Sequence, residues 1–202
     1  GEYSDLNNSP SNFSLDWDKY PDINLSPYFI ETFESFNVKD GEVTLSGWWF
    51  DNPNSEKTII VLHGVGSSKQ SAGVLTSAGM LNKSNFDVVV FDYQGVHEAY
   101  NTSAVIEWLV EEKNKTKDNI GLLGFSLGAM VALNTHGLND NFTSSIVVDP
   151  PVDFDTILRE ELEYQGVPSI VASALRFYWF TRTGESIDDL TPEKALTNGN
   201  SQ

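Results

Sequence analysis

Four short apolar runs divide the middle of the chain, and they constrain its fold more than any other feature. They are Thr58 to Leu62, Asp87 to Phe91, Ile120 to Leu123 and Ser145 to Val148. Each is rich in apolar, largely β-branched residues, and helical patterns lie between them, notably Ala104 to Glu112 and Leu127 to His136. Such runs suit strands buried on both faces. Their alternation with helices therefore predicts an α/β fold, a mostly parallel, doubly wound sheet with helices on both faces.

Two further β-rich runs, Thr32 to Val38 and Val43 to Phe50, come before these strands. They flank Asp40-Gly41, a dipeptide that supplies positive φ in a tight turn, so an N-terminal β-hairpin is expected. Residues 1–28 are rich in Asn, Ser, Asp and Pro. We interpret them as an extended polar lead-in rather than a packed element. The expected organisation is a lead-in of residues 1–28 followed by one α/β domain of residues 29–202.

Two helical segments, Phe154 to Tyr164 and Ser169 to Thr181, follow the fourth apolar run. Gly166-Val167-Pro168 separates them, and proline suits the first turn of the second helix. Two interpretations stay open. The segments either form a helical cap over the edge where the parallel strands end, or they are crossover helices of a further βαβ unit.

Charge and composition exclude several classes of partner and chemistry. The chain has 12 Lys and Arg against 29 Asp and Glu, a formal charge of −17, so it would repel a nucleic acid. No run reaches the roughly 18 apolar residues that a membrane-spanning helix needs, so no membrane span is expected in this chain. There is no cysteine, which rules out thiolate catalysis. Without cysteines, the sequence also does not indicate whether the protein works in an oxidising or a reducing compartment.

The segment Gly124 to Gly128 (GFSLG) is the strongest chemical motif in the sequence. It fits Gly-x-Ser-x-Gly and lies between a buried apolar run and a helical pattern, which is the context that gives this motif its meaning. A sharp strand-to-helix turn would hold Ser126 in a strained conformation and expose its hydroxyl at the sheet edge. The flanking Gly124 and Gly128 would let neighbouring backbone pass close by. Ser126 is therefore the candidate nucleophile.

A second loop, His63 to Ser68 (HGVGSS), follows the first parallel strand and is expected beside Ser126. Acyl transfer needs N–H donors for a developing oxyanion, and the backbone N–H groups of Val65 and Leu127 are the candidates. We expect Gly64 to support this loop by its lack of a side chain. His63 is interpreted as a structural residue that holds the loop, because it precedes the nucleophile instead of following it on a later strand.

These motifs resemble the α/β-hydrolase superfamily, and within it serine hydrolases of the esterase, lipase and prolyl-oligopeptidase type. The resemblance covers roughly Phe33 to Leu196 and rests on DGEVTLSGWWF, TIIVLHGVGSS, VVVFDYQG, IGLLGFSLGAMVAL and VVDPPVDFDTIL, in the order typical of the family. It implies Ser126 as nucleophile and Val65 and Leu127 as oxyanion donors. The loop after Asp92 is shorter than is usual in the family, so the sheet edge there is expected to differ.

The resemblance also implies a catalytic acid and a catalytic histidine that the sequence does not supply. In such enzymes the acid follows a later strand and the histidine follows the last one. Nothing beyond Leu196 could be either group. The two residues are therefore not identified in this chain, and we expect the chain by itself to be an inactive fragment with an unpaired sheet edge that could associate with another chain.

Four other titratable residues are weaker candidates for the missing groups. His97 lies on the loop after the second strand and could approach Ser126, although a solvated loop residue is the simpler interpretation. His136 falls about three helical turns after the serine and should be remote from it. Asp149 and Asp153 follow the fourth strand at the same edge. A carboxylate without a positioned base does not activate serine, so structural roles are expected for both.

The sequence thus predicts a serine hydrolase that cleaves ester, thioester or amide bonds of a small-molecule or peptide substrate through a Ser126 acyl-enzyme. Such a reaction needs no cofactor and no metal. The alternative is a non-catalytic α/β-hydrolase-like protein that binds a ligand or partner. A dinucleotide-binding protein is a poor third choice, because the loop after Leu62 lacks the third glycine of the fingerprint and Asp92 comes too late for the ribose-binding acid.

Overall fold

The computed structural model describes residues 8–15, 22–93, 98–138, 144–150, 154–164, 166–168, 170–183 and 186. Within these residues six strands form one sheet in the order β1-β2-β4-β3-β5-β6. Their bounds are β1 Glu34–Asp40, β2 Val43–Phe50, β3 Thr58–Leu62, β4 Asp87–Asp92, β5 Ile120–Phe125 and β6 Ser144–Val148. β1/β2 and β2/β4 pair antiparallel, whereas β4/β3, β3/β5 and β5/β6 pair parallel. The predicted hairpin is present, with Gly41 at φ +58° in its turn.

Helices cover both faces of the sheet, as the alternating pattern predicts. The helices are α1 Ala72–Lys83, α2 Glu98–Lys113, α3 Leu127–Leu138, α4 Phe154–Tyr164 and α5 Ile170–Thr183. On one face, Ile106 and Leu109 of α2 pack with Ile60 and Leu122 of the sheet. On the other face, Val74 of α1 packs with alternate residues of the same strands. The fold class expected from the sequence is therefore confirmed.

The carboxyl ends of the parallel strands meet at one edge of the sheet. Leu62 is in register with Gly124, and Phe125 is in register with Val148. The loop after β3, the end of β4, the β5–α3 turn and the residues after β6 therefore face the same side. In sheets of this type the ligand site lies at that edge.

The N-terminal segment packs against α1, contrary to the expectation from its polar composition. Phe13 and Leu25 are buried at 3% and 6% exposure, and both pack with Leu75 of α1. A short 3₁₀ helix, Ser26–Tyr28, approaches α1 so closely that a Cβ at Gly79 would lie 2.1 Å from the carbonyl oxygen of Tyr28. The prediction of an unpacked lead-in is wrong for residues 8–15 and 22–28, because a few apolar side chains suffice to anchor it. The proposed boundary after residue 28 stays a prediction.

Among the described residues β6 pairs with β5 alone, so its other edge is open. Ile146 and Val148 on this strand are 63% and 41% exposed. An open edge with apolar side chains is a template for pairing with another strand. Association through this edge stays a prediction.

The role of α4 and α5 as a cap also stays a prediction. The two helices contact each other, and apolar side chains such as Phe177 on α5 are exposed.

Candidate active site

Ser126 occupies the turn between β5 and α3 in a strained backbone conformation. Its φ is +51°, in the left-handed region that non-glycine residues rarely adopt and that costs on the order of 1–3 kcal/mol. Two hydrogen bonds fix the turn: the Ser126 N–H donates to the Val148 carbonyl at 3.0 Å, and the Ala129 N–H donates to the Ser126 carbonyl at 2.9 Å. The residue is exposed. The turn geometry that the motif predicts is therefore present.

Gly124 and Gly128 allow the strand and the helix to meet this closely. A Cβ at Gly124 would lie 2.1 Å from the carbonyl oxygen of Gly128. A Cβ at Gly128 would lie 2.3 Å from the carbonyl oxygen of Leu62 at the end of β3. Real Cβ atoms essentially never come within 3.0 Å of another heavy atom in this way. Both positions therefore require glycine if α3 is to start directly behind Ser126.

The loop of residues 63–71 after β3 lies against Ser126. A Cβ at Gly64 would be 3.3 Å from the Cβ of Ser126 and 3.8 Å from its Oγ. Val65, the next residue, is 72% exposed. Neither the Val65 N–H nor the Leu127 N–H donates to another backbone group of the described residues, and Leu127, as the first residue of α3, has no intrahelical acceptor. Within the described residues, neither N–H group is therefore taken up by the backbone.

His63 is a buried residue whose contacts hold the loop. Its ring stacks on Tyr93 at 4.1 Å between centroids, and its Nδ1–H donates to the Gly64 carbonyl at 3.0 Å. The Tyr93 hydroxyl in turn donates to the His63 carbonyl. Burial is the main influence on the imidazole and lowers the pKa of His63 from its ordinary 6.5. The ring is therefore neutral at neutral pH and is engaged within the loop.

An ion pair that the sequence interpretation missed fixes the other end of this loop. Asp92 Oδ1 accepts from the Lys69 backbone N–H at 2.7 Å, and Asp92 Oδ2 accepts from Lys69 Nζ. The Nζ also lies 5.3 Å from the centroid of the Trp48 ring, a cation–π contact. Asp92 ends β4, and Lys69 follows the adjacent parallel strand β3. A lysine and an aspartate after two neighbouring strands are the sequence signal from which this pair could have been predicted. The pair and His63 together fix both ends of the segment that carries Val65.

Of the remaining titratable candidates, His136 and Asp149 lie within the described residues. His136 lies in α3, about 14 Å along the helix axis from its start. Asp149 follows β6 at the same edge as Ser126, is exposed and has φ +54°. His97 and Asp153 lie outside the described residues. Within the part of the chain that the structure describes, no side-chain hydrogen bond to the Ser126 hydroxyl is present, so a general base is not identified.

A cavity of about 590 Å³ opens beside the nucleophile turn. Gly64 and Phe125, the two residues that flank Ser126 in space and in sequence, form part of its wall. Leu15 of the N-terminal segment, further residues of the loop after β3 and residues of the first turns of α1 form the rest. A cavity of this size lies within the range of small-molecule pockets.

Comparison with known proteins agrees with the fold. Residues 58–148, slightly less than half of the chain, match the family model of X-Pro dipeptidyl-peptidase (S15 family). An esterase of Pyrococcus furiosus is similar at 27% identity and a TM-score of 0.61, over 76% of this chain and 62% of the esterase chain. A lidless α/β serine hydrolase of Xanthomonas campestris is similar at 22% identity and a TM-score of 0.53, over 62% of this chain and 65% of that one. A search of curated protein sequences found no match.

The sheet order, the flanking helices and the strained serine turn match the α/β-hydrolase fold. Its fold is that of the α/β-hydrolase superfamily, as its motifs predict, and the chain is similar to esterases and serine hydrolases with this fold. It spans 62% of the length of that Pyrococcus furiosus esterase chain, less than two thirds. None of the described helices is both long enough and apolar enough to cross a lipid bilayer.

Proposed function

We propose that this chain carries the nucleophile of a serine hydrolase that cleaves carboxylic ester, thioester or amide bonds. The observation that supports this most strongly is the conformation of Ser126, held at φ +51° at the end of β5 with Gly64 against its side chain. Backbone strain of this kind persists only where surrounding structure maintains it, and it is concentrated at functional sites. Similarity to an esterase supports the same class of reaction.

In the proposed reaction the Ser126 Oγ attacks the acyl carbonyl carbon and its proton passes to a general base. The tetrahedral intermediate collapses, the bond to the leaving oxygen, sulfur or nitrogen breaks, and that atom takes the proton. Water then attacks the acyl-enzyme with the same base, releasing the acid and restoring the Ser126 hydroxyl.

The Val65 and Leu127 N–H groups are the proposed oxyanion donors. Both are without a backbone acceptor among the described residues, and the start of α3 adds the favourable end of a helix dipole. Removing one donor of this kind typically slows acyl transfer by about 10²–10³-fold. The base is proposed to come from a residue other than the described ones, because His63 is stacked on Tyr93 and His136 is remote.

Hydrolysis of p-nitrophenyl butanoate by the longest natural form of the protein tests this function. We expect Ser126→Ala to lower kcat/KM by roughly 10⁴-fold or more, because removal of a nucleophilic serine removes the whole covalent route. Ser84→Ala, an exposed serine at the end of α1, is the matched control and should retain activity. Equal activity of the Ser126→Ala and wild-type proteins would exclude the proposal.

A non-catalytic binding protein is the alternative, and it is favoured by one observation, the lack of a hydrogen-bonded base at Ser126 among the described residues. In that case the edge of the sheet would bind an apolar ligand without turnover. Its affinity should then be unchanged by Ser126→Ala, and no natural form of the protein should hydrolyse an activated ester. Turnover that depends on Ser126 would rule this alternative out.

A further inference from the structure

Residues 8–15 of the N-terminal segment are fastened to the end of the loop that carries the proposed oxyanion donor. The Asn8 Nδ2 donates to the Gln70 carbonyl at 3.1 Å, and the Gln70 Nε2 donates back to the Asn8 carbonyl at 3.0 Å. The Asn8 side chain also bridges to Ser14, donating to its carbonyl at 3.2 Å and accepting from its N–H at 3.1 Å. Asn8 is only 7% exposed, so these bonds are shielded from water.

Apolar packing holds the same segment on α1. Phe13 is 3% exposed, lies with its ring centroid 4.9 Å from that of Phe29 and packs with Ala72 and Leu75. Between this anchor and the Asn8 bonds the backbone has little freedom. Leu15, which follows directly, is therefore held at a fixed place, where it forms one wall of the cavity beside Ser126.

The cavity is suited to an uncharged aliphatic chain. No charged side chain is among its lining residues, and Leu15, Val74 and Phe125 supply apolar surface. Its hydroxyl groups are already engaged within the protein. Ser67 and Ser71 hydrogen-bond to each other, and Ser77 donates to the carbonyl of Gly73 at 2.8 Å. A polar or charged ligand would find few unsatisfied partners in such a pocket, whereas an apolar chain would lose water-exposed surface on entry.

We propose that this cavity binds the aliphatic chain of the substrate and that Leu15 determines which chain lengths fit. Because Gly64 and Phe125 adjoin both the cavity and Ser126, a chain attached to a carbonyl at the Ser126 Oγ can extend into this cavity. The inference rests on the proposed function for the position of the reacting group. Binding of the chain itself does not require Ser126 to react.

Binding of n-octanol to the Ser126→Ala protein, measured by saturation-transfer NMR and titration, tests the pocket without catalysis. Leu15→Trp fills the cavity from the N-terminal segment and should weaken binding about tenfold or more. Gly73→Leu fills it from α1, where an added Cβ meets no atom within 4 Å, and should have the same effect while favouring the helix. Ile23→Trp, a half-exposed position of the N-terminal segment away from the cavity, is the control and should leave the affinity unchanged.

Hydrolysis gives the second measurement, on the active natural form. Leu15→Trp should lower kcat/KM for p-nitrophenyl decanoate or for decyl acetate far more than for p-nitrophenyl butanoate. A selective loss with p-nitrophenyl decanoate would mean that the cavity binds the acyl chain of the substrate. A selective loss with decyl acetate would mean that it binds the alcohol chain. If neither Leu15→Trp nor Gly73→Leu changes the affinity for octanol while turnover still depends on Ser126, the proposed pocket is wrong and the proposed nucleophile stands. Octanol binding that depends on Leu15 in a protein without Ser126-dependent turnover would support the pocket and overturn the proposed function instead.

Discussion

Gly128 at the start of α3 faces the carbonyl oxygen of Leu62 so closely that a Cβ at this glycine would lie 2.3 Å from it. This contact seats the helix against the end of β3, where the loop toward Val65 begins. A side chain at position 128 would therefore push the helix away from the strand that carries the proposed oxyanion loop.

We expect Gly128→Ala to lower the free energy of unfolding by about 1–3 kcal/mol, because overpacking against backbone displaces whole elements. Gly124→Ala should do the same, since its Cβ would meet the Gly128 carbonyl at 2.1 Å. Urea unfolding measures both. Gly73→Ala in α1 is the control: its Cβ meets nothing within 4 Å, and alanine should stabilise the helix by roughly 0.5–1 kcal/mol. Unchanged unfolding midpoints for both elbow variants would contradict the close packing described.

Replacement of Gly79 should weaken the packing of the N-terminal segment on α1. A Cβ there would lie 2.1 Å from the carbonyl oxygen of Tyr28. Gly79→Ala should therefore raise hydrogen exchange at the Ile30 amide, which donates to the Pro10 carbonyl at 2.9 Å and so links the two parts of the segment. Gly73→Ala, in the same helix, should leave that exchange rate unchanged. Equal protection of Ile30 in the two variants would mean that the segment does not depend on the Gly79 contact.

Stability should fall on acidification because of His63. Burial lowers its pKa, so between the lowered value and 6.5 the unfolded chain binds a proton that the folded protein does not. The free energy of unfolding therefore decreases as the pH falls through 6.5, by at most about 1.4 kcal/mol per pH unit from this one residue. Above 6.5 the contribution is constant.

The His63→Gln variant lacks this titration. Urea unfolding of both proteins above and below pH 6.5 should show a steeper pH dependence for the wild type, with carboxylate effects common to the two. Parallel pH profiles would show that His63 is not a titrating, buried imidazole in the folded protein.

The sequence was sufficient to predict the strands at the centre of the sheet. The run Thr58 to Leu62 is β3 to the residue, because a continuous β-branched stretch between polar loops has no competing structure. β5 runs two residues farther than the apolar pattern, through Phe125, because pairing with β6 continues to the turn. The strained turn at Ser126 was also predictable, because a serine between a strand and a helix, with a glycine two residues away on each side, has few other conformations available.

Contacts made at a distance in the chain were not predictable in this way. The packing of Phe13 on α1 depends on Ala72 and Leu75, which are distant in the chain, and a polar segment with scattered aromatics gives no local sign of it. The pair of Lys69 and Asp92 likewise needs β3 and β4 to be neighbours. Chain composition records how polar a segment is, whereas burial of two or three side chains decides whether it packs.

Reaction of the longest natural form with a fluorophosphonate, followed by tandem mass spectrometry, tests the central claim most directly, because the reagent forms a stable adduct with an activated serine alone. We predict a single adduct on Ser126 and none in the Ser126→Ala protein, with the Ser84→Ala protein labelled like the wild type. An unmodified Ser126 in that folded natural form, or an adduct on another serine that survives Ser126→Ala, would contradict the assignment of Ser126 as the nucleophile.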